Sequence, residues 1–403
     1  MHFNTFGVMI SIDSLHISLN QMLFLVVGIW PYEQSKLVQF QLILFFTILI
    51  SSIIFQFTAF LTLKCTADLL IKVLSSALFY IFLVIKYISF HINIEVVKCL
   101  LEQLQNIYNE LTDENEIDII RKYRNYAQRY TVGLILFSIF LAPVPILYLV
   151  WPYFFDVSLS INESRRPLLK RIIVTEYFVD QKKYYYLILL HIISAMLIGI
   201  VVLLATGTIL VVYLQYACGM FRIACYRIEQ SMAVDALRKG SLRNKNFTYK
   251  KLICAVDMHR KAMRFSDSSI SRFKVMFSVL IVVGTCSMAL NIFRIFQGLS
   301  LGDIEDIVFP LIYAVIYLLY ALLTNYHGQE VIDHNNAVFA SAYNIQWYVA
   351  SLNVQKMILF LFQRNTKSFN INIAGLFVGS LESAATLLST SMSYFTVLYS
   401  IQK

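Results

Sequence analysis

The sequence predicts an all-α, polytopic membrane protein with seven transmembrane helices. Hydrophobic residues make up 58% of its 403 residues and charged residues only 14%, whereas an ordinary globular protein carries about 25% charged residues. Such a chain has too little polar surface to cover itself in water. Apolar runs of about 20 residues, the length that a helix needs to cross the bilayer, recur along the chain.

Seven spans follow one another without a linker rich in Gly, Ser or Pro, so a single domain over 1–403 is predicted. The predicted spans S1 to S7 are 37–62, 69–90, 130–151, 186–216, 274–296, 307–324 and 380–403. S3 contains Pro143 and Pro145, which interrupt helical hydrogen bonding. Lys86 lies near the end of S2 and is expected to snorkel toward the membrane surface.

The distribution of basic residues predicts the orientation. With a cytoplasmic N-terminus, 21 Lys and Arg residues lie on the inside and 8 on the outside, and basic loops prefer the cytoplasm. The N-terminus is therefore expected inside and the C-terminus outside. Without the long loop 217–273 the bias shrinks to 9 against 8. In this orientation the sequon at Asn162 is expected to be glycosylated and the sequon at Asn246 is not.

Cytoplasmic segments are predicted to form helices that prolong the spans: 94–107 prolongs S2, and 217–237 and 254–273 do the same for S4 and S5. Residues 94–107 place apolar side chains at steps of three and four, which is typical of an amphipathic helix. A cytoplasmic anchor layer is predicted from 325–378 with parts of 91–129 and 217–273. These helices either pack on their own subunit or form an interface between subunits.

The end of the chain carries a stripe of polar residues on an otherwise apolar helix. From 371 to 403 a helix would be about 50 Å long, more than the hydrocarbon core of about 30 Å, so a break near Gly375 or Gly379 is expected. Steps of four and three place six polar residues on one face: Glu382, Thr386, Ser389, Ser393, Thr396 and Ser400.

Two explanations of this stripe remain open. Small hydroxyl residues allow close helix packing, or they line a water-filled ion path with an apolar collar at Val397 and Ile401. At the mouth of such a path, Glu382 would concentrate cations.

Other function classes lack their sequence signals. The six cysteines form no C-x-x-C pair, so neither a metal site nor a cofactor is predicted. The net charge of +9 is assigned to cytoplasmic loops and not to nucleic-acid binding. Neither an H-E-x-x-H nor a G-x-S-x-G motif occurs, so no enzyme is predicted, and His191 within S4 is expected to be a packing or hydrogen-bonding residue. The absence of internal repeats disfavours a transporter.

The C-terminal third closely resembles insect odorant receptors. The features that carry the resemblance are a turn at Gly328–Glu330, the aromatic residues Tyr343, Trp347 and Tyr348, the run 356–359, Gly375 with Phe377, and the terminal 393–396. Near the N-terminus "GIWPY" resembles the family's Gly-x-Trp-Pro. The terminal motif departs from that of the sister gustatory receptors, which favours a ligand-tuning odorant receptor subunit.

The resemblance implies an odorant-gated, non-selective cation channel subunit in the plasma membrane of an olfactory neuron dendrite. Its expected partners are the odorant co-receptor in a heterotetramer, a small volatile ligand, membrane lipid and permeant cations. The last helix would line the pore, with Val397, Ile401 and Ser400 at the gate, Thr396, Ser393 and Glu382 along the path, and the aromatic residues Tyr343, Trp347 and Tyr348 in the anchor.

The resemblance also implies an odorant pocket in the outer half of the bundle, among S2, S3, S4 and S6. The candidates are Phe79, Tyr80, Tyr148, Trp151, Ser194, Ile198, Tyr313 and Tyr317. For any one aromatic residue among them, ordinary bundle packing is the competing explanation. Tyr313 and Tyr317 share a helix face, and aromatic walls with a few hydroxyls suit a mostly apolar ligand. A gustatory-type channel and a metabotropic seven-helix receptor remain alternatives.

Overall fold

The computed structural model is helical, as predicted, apart from one short hairpin. The residues described are 17–33, 35–150, 174–180, 183–237, 242–365, 369, 372–373 and 377–402. Trp151 and Asn162 lie outside these residues.

Helices account for nearly all of the described chain. They are α1 Ser18–Val26, α2 Lys36–Phe57, α3 Ala59–Thr62, α4 Ala67–Ile92, α5 Ile94–Asn109, α6 Glu114–Leu141, α7 143–150, α8 Tyr185–Leu237, α9 Leu242–Ser271, α10 Lys274–Leu301, α11 Val308–Asn344, α12 Leu352–Asn365 and α13 Leu381–Gln402. Two 3₁₀ turns, Ile304–Asp306 and Trp347–Val349, connect some of them. Strands β1 Asn372–Ile373 and β2 Phe377–Val378 pair antiparallel just before α13.

Six helical segments of the described chain are long and apolar enough to cross a membrane. They correspond to the predicted spans S1 to S6. The seventh span, α13, has 22 residues, enough to cross the hydrocarbon core, but it is less apolar because of its Ser and Thr residues. The polar stripe that suggested a function is thus what sets α13 apart from the other six.

Two of the spans are much longer than a bilayer requires. α8 has 53 residues, which is about 80 Å of helix, and α11 has 37 residues. Together with α5, the first half of α6, α9 and α12, the ends of these helices form a separate layer, called here the helical layer. Its segments are those predicted for the cytoplasmic anchor.

Ion pairs hold the helical layer together. The Arg227 guanidinium contacts both carboxylate oxygens of Glu116, at 2.6 and 2.8 Å, which ties α8 to α6. The Lys261 ammonium lies 2.6 Å from Glu110, and this hydrogen bond raises the pKa of Lys261. At the start of α6 the Asp113 carboxylate accepts from the backbone N–H of Asn115, which lowers the pKa of Asp113. Charge-assisted pairs of this kind fix the relative register of neighbouring helices.

The interruption of S3 lies where the prolines predicted it. α6 ends at Leu141, Ala142 forms a turn, and helix resumes at Pro143. Proline is well accommodated at the first position of a helix, where its missing N–H would have no partner. The span therefore continues through the break, from Glu114 to Val150.

Gly328 corrects one expectation from the sequence. It lies inside α11, not in a turn. A Cβ atom at this position would overlap the carbonyl oxygen of Gly379 and would lie 2.9 Å from its carbonyl carbon. The glycine is required because α11 and the chain entering α13 touch backbone to backbone.

Lys86 also differs from its expected position near the membrane surface. Its side chain is fully buried instead of snorkelling, and its Nζ lies 4.1 Å from the ring centroid of Tyr320. A cation over an aromatic face is favourable when it is desolvated. Lys86 therefore belongs to the contact between α4 and α11.

Candidate ligand cavity and pore helix

Aromatic side chains from α4 and α11 form a wall inside the bundle. Phe79 stacks on Tyr313 with ring centroids 4.4 Å apart, and it meets Tyr317 edge-on at 5.8 Å. Phe82 meets Tyr317 at 5.1 Å and Tyr320 at 5.2 Å, both edge-on. Stacked and edge-on pairs are the preferred arrangements of aromatic rings. We call these five residues the aromatic wall.

A mostly apolar cavity of about 150 Å³ lies on one side of the aromatic wall. We call this cavity A. Its lining residues include Phe79, Phe137, Met196, Leu203, Tyr313 and His327. They come from α4, α6, α8 and α11, the helices that correspond to S2, S3, S4 and S6. An apolar cavity of about 150 Å³ holds a benzene-sized molecule, so cavity A has the size and chemistry for a small volatile compound.

A second cavity of about 90 Å³ lies on the other side of the wall, against the last helix. We call this cavity B. Its lining residues include Phe82, Gly284, Tyr317, Asn325, Ser383 and Leu387. Tyr320 and Thr324 border both cavities. The aromatic wall is therefore shared between a potential ligand site and the back of α13.

The predicted ligand residues divide into two groups. Phe79 and Tyr313 line cavity A, and Tyr317 lines cavity B. The remaining described candidates, Tyr80, Tyr148, Ser194 and Ile198, line neither cavity. Their assignment to the ligand site stays a prediction.

Contacts explain where these four side chains point. Tyr80 is buried and meets Phe79 edge-on at 6.0 Å, and Tyr148 contacts Phe309 at 6.2 Å. The Ser194 hydroxyl donates to a carbonyl of its own helix, while Ile198 is buried in the bundle.

Tyr320, Thr324 and His327 line the cavities but were not predicted, although they continue the spacing of Tyr313 and Tyr317. Tyr313, Tyr317, Tyr320, Thr324 and His327 follow one another at steps of four and three, so they share one face of α11. The rule that paired the first two residues already reaches Tyr320 and Thr324 within S6, and it would have reached His327 if S6 had not been ended at 324.

His191 is a hydrogen-bonding residue, as expected. Its Nε2 lies 2.8 Å from the Ser51 hydroxyl and its Nδ1 lies 2.9 Å from the Tyr177 hydroxyl. Both ring nitrogens are thus engaged, and the ring links α2, α8 and the segment that precedes α8.

The polar stripe of α13 faces away from its own bundle. Thr386, Ser393, Thr396 and Ser400 are exposed, and Val397 and Ile401 are 54% and 77% exposed. The opposite face packs inward through Ala384 and Ser391, which are buried. The stripe therefore does not serve packing within the subunit. This excludes one form of the close-packing explanation that the sequence left open.

Two aromatic residues join α13 to α10. Phe296 contacts Phe395 at 5.8 Å and Tyr399 at 5.0 Å, both edge-on.

Glu382 lies in the first turn of α13 and is exposed, where a carboxylate also stabilises the helix start. The position of Glu382 is thus compatible with both a pore entrance and a structural role.

The aromatic residues predicted for the anchor lie at the surface of the helical layer. Tyr343 and Tyr348 are largely exposed, whereas Trp347 packs on Phe362 with ring centroids 6.0 Å apart. Exposed aromatic side chains grouped in this way are typical of a protein–protein interface.

Solved structures share this architecture. The olfactory receptor OR5 of the insect Machilis hrabei, in complex with eugenol, superimposes with a TM-score of 0.78 at 17% sequence identity, covering 96% of this chain and 100% of that chain. A second structure of OR5 gives a TM-score of 0.74 at 16% identity, covering 96% and 99%. At such identities the likeness shows the fold alone.

Sequence comparisons identify the family. A stretch of 90 residues is 30% identical to the odorant receptor coreceptor of Drosophila melanogaster, and it spans 21% of this chain and 18% of that protein. The family model for the 7tm odorant receptor matches residues 66–392, which include five complete spans, the first half of α13 and the helical layer. The chain therefore belongs to the 7tm odorant receptor family.

Proposed function

We propose that the chain is the ligand-binding subunit of an odorant-gated, non-selective cation channel. It would bind a volatile compound in cavity A and open a pore lined by α13, in a heterotetramer with the odorant co-receptor. The observation that carries this proposal is the aromatic wall, because its rings contact one another, some border cavity A and others cavity B, and Tyr320 borders both.

The wall gives a ligand a route to α13. A molecule in cavity A contacts Phe79 and Tyr313, which stack on each other, and the Phe79 ring contacts Tyr317, which borders cavity B. Displacing Tyr317 changes the space against which Ser383 and Leu387 of α13 pack. A ligand that binds better when this space has its open-state shape shifts the population toward the open channel.

The exposed stripe supports the pore. Val397 and Ile401 form the gate in this proposal, Ser400 lies beside them, and Thr396, Ser393 and Glu382 continue the path. A stripe that faces away from its own subunit needs a partner surface or water. Four copies of α13, or α13 with the co-receptor's equivalent helix, would supply both.

The helical layer would hold the subunits together. Tyr343 and Tyr348 offer exposed aromatic surface to a neighbouring subunit, and Trp347 contacts Tyr348 edge-on. The plasma membrane of the sensory dendrite, with the N-terminus inside, is the proposed location.

Expression with and without the co-receptor tests the proposal most directly. The full chain is expressed in cells, and currents are recorded under a panel of volatiles that starts with eugenol, the ligand in the OR5 complex. Ligand-evoked cation currents are expected with the co-receptor. Val397→Ala and Ile401→Ala should alter conductance or basal opening, and Phe79→Ala should raise the ligand concentration needed.

Two outcomes would overturn the channel. Currents that disappear under G-protein blockade but survive changes at both gate residues would indicate a metabotropic receptor. Responses to non-volatile tastants alone would indicate a gustatory-type channel.

A further inference from the structure

We propose that Arg294 is a positioning residue of the gate: it ties α10 to α4 and to the turn before α11, and this tie opposes opening of the pore. The inference rests on the proposed function, in which the α13 helices line the pore. It adds a residue that sets how readily the channel opens without a ligand.

A charged cluster lies at the end of the bundle that is remote from the helical layer. Arg294 of α10 is 4% exposed, and its Nη1 donates to the Ser75 hydroxyl of α4 at 3.0 Å. Its Nη2 lies 3.9 Å from Oδ1 of Asp306, in the turn before α11. A buried charge is stable only where polar partners compensate its lost hydration. These contacts therefore fix the position of α10 against both neighbours.

Further contacts close the same cluster. Nζ of Lys72 in α4 lies 2.6 Å from Oδ2 of Asp306, and Nε2 of Gln297 in α10 donates to the Asp68 carboxylate at 3.2 Å. The side chains of Lys72 and Asp306 are only 22% and 18% exposed, so water and salt screen their attraction less than that of a fully exposed pair. The cluster thus joins the ends of α4 and α10 to the turn before α11.

The opposite face of α10 packs behind the proposed gate. Phe296 follows Arg294 by two residues, which is about 200° around the helix, and its ring contacts Phe395 and Tyr399 of α13. Phe395 and Tyr399 lie two positions before and two positions after Val397, so both rings occupy the side of α13 away from Val397. At the level of the gate, α10 therefore stands between α13 and the charged cluster.

The position of α10 decides how easily α13 can move. Because the polar stripe of α13 faces away from its own bundle, widening the proposed pore moves α13 toward that bundle, and at the gate this means toward Phe296 of α10. While Arg294 holds α10 against α4, α10 resists the movement. A contact that is present in the closed state and broken in the open state favours the closed state by its own free energy.

The test measures the cation current without any added volatile in cells that express the full chain with the co-receptor. The current of cells with the co-receptor alone is subtracted, and each value is divided by the amount of the chain at the cell surface. Arg294→Met keeps a long apolar side chain and removes the hydrogen-bond donors. We expect this variant to carry about tenfold more ligand-free current than the wild type, since a hydrogen bond from a charged group is worth about one factor of ten.

Ser75→Ala removes only the acceptor on α4, and its ligand-free current should rise by about threefold. Because both variants break the same contact, the double variant should carry no more current than Arg294→Met alone. The matched control is Ser300→Ala near the end of α10, whose exposed hydroxyl donates to the Phe296 carbonyl of its own helix. Its current should stay within about twofold of the wild type.

Melting temperatures of the purified full-length variants separate gating from folding, because a merely structural role lowers stability and surface amount without raising the current per channel. If Arg294→Met fails to reach the surface, Ser75→Ala decides the matter. Currents within about twofold of the wild type or below it, or an additive rise in the double variant, overturn the role of Arg294. The proposed channel fails differently: it is contradicted by the gate and G-protein experiments, which do not depend on the cluster.

Discussion

In the first half of α11, residues 308–324, Tyr313 and Tyr317 border cavities, and the Tyr313 hydroxyl has no partner among the described residues. In the second half, residues 325–344, two polar side chains are paired with other helices: His334 with Tyr123 at 2.7 Å and Asn335 with His259 at 2.9 Å. Nε2 of His327, close to the start of this half, has no partner among the described residues. One continuous helix thus has an adjustable half and a fixed half. From this difference we expect a bound ligand to move the tyrosine rings of the first half, while the second half keeps the backbone of α11 in place.

The largest expected effect tests the fixed half by adding one methyl group. Gly328→Ala forces a Cβ atom into the backbone of Gly379, and overpacking of this kind costs about 1–3 kcal/mol. We expect the upper end of that range, since backbone cannot rotate away, with a clear drop in melting temperature and loss of ligand-evoked current. The control is Gly133→Ala in α6, where no atom lies within 4 Å of the added carbon. An unchanged melting temperature for Gly328→Ala would contradict the close approach.

The next effect removes one polar pair from the fixed half. Asn335→Leu keeps the number and branching of the side-chain heavy atoms but leaves Nε2 of the buried His259 without its partner, which costs about 1–2 kcal/mol. The measurement is thermal unfolding in detergent. Gln329→Leu serves for comparison: it removes a pair with the exposed Asp333, and its cost is expected to stay within about 0.5 kcal/mol. Equal costs for the two variants would mean that the fixed half is not specially dependent on its buried pairs.

A smaller effect concerns pH. Burial lowers the pKa of His259, and the nearby Arg364 acts in the same direction, while the hydrogen bond with Asn335 opposes them. The folded state therefore favours the neutral ring, whereas the unfolded chain takes up the proton near pH 6.5. Stability from this residue is present above about pH 6.5 and is lost as the pH falls below it.

Melting temperatures between pH 7.5 and 5.5 check this expectation. The wild-type protein should lose stability as the pH falls, and His259→Gln should lose less over the same interval. A steeper loss in His259→Gln would show that the ring is charged in the folded protein.

The smallest effect is expected in the adjustable half. Tyr313→Phe removes a buried hydroxyl without a partner among the described residues and keeps the stacking on Phe79. Stability should change by less than about 0.5 kcal/mol or rise slightly, because no hydrogen bond is lost. A drop of more than about 1 kcal/mol would show that this hydroxyl is bonded, and the contrast between the two halves would then be weaker.

Local patterns in the sequence predicted the spans well. Each of the seven observed spans has at least one end close to the predicted one. Apolar run length and proline positions are local properties of the sequence, so they locate such ends. The continuation of α8 over 217–237 was predicted as a prolongation of S4, whereas α11 was expected to end at 324 and its continuation was only assigned to the anchor layer. The polar end of α11 resembles a separate segment when only composition is considered.

Tertiary contacts limited what could be predicted for the site. Spacing placed Tyr313 and Tyr317 on one face, and the same spacing reaches His327. That Nε2 of His327 lacks a partner, or that Gly328 touches Gly379, depends on how distant helices meet. The snorkelling expected for Lys86 failed for the same reason, since α11 covers the space that its side chain would need to reach the surface.

The hydroxyl residues of α13 have a consequence for charge selectivity. Thr386, Ser393, Thr396 and Ser400 each donate their proton to a carbonyl oxygen of their own helix. Their oxygen lone pairs then point outward, while their donors are occupied. In the proposed pore, such a surface offers ligands to cations and little to anions. The backbone of α13 would thereby set the sign of the permeant ion without any charged residue in the narrow part of the path.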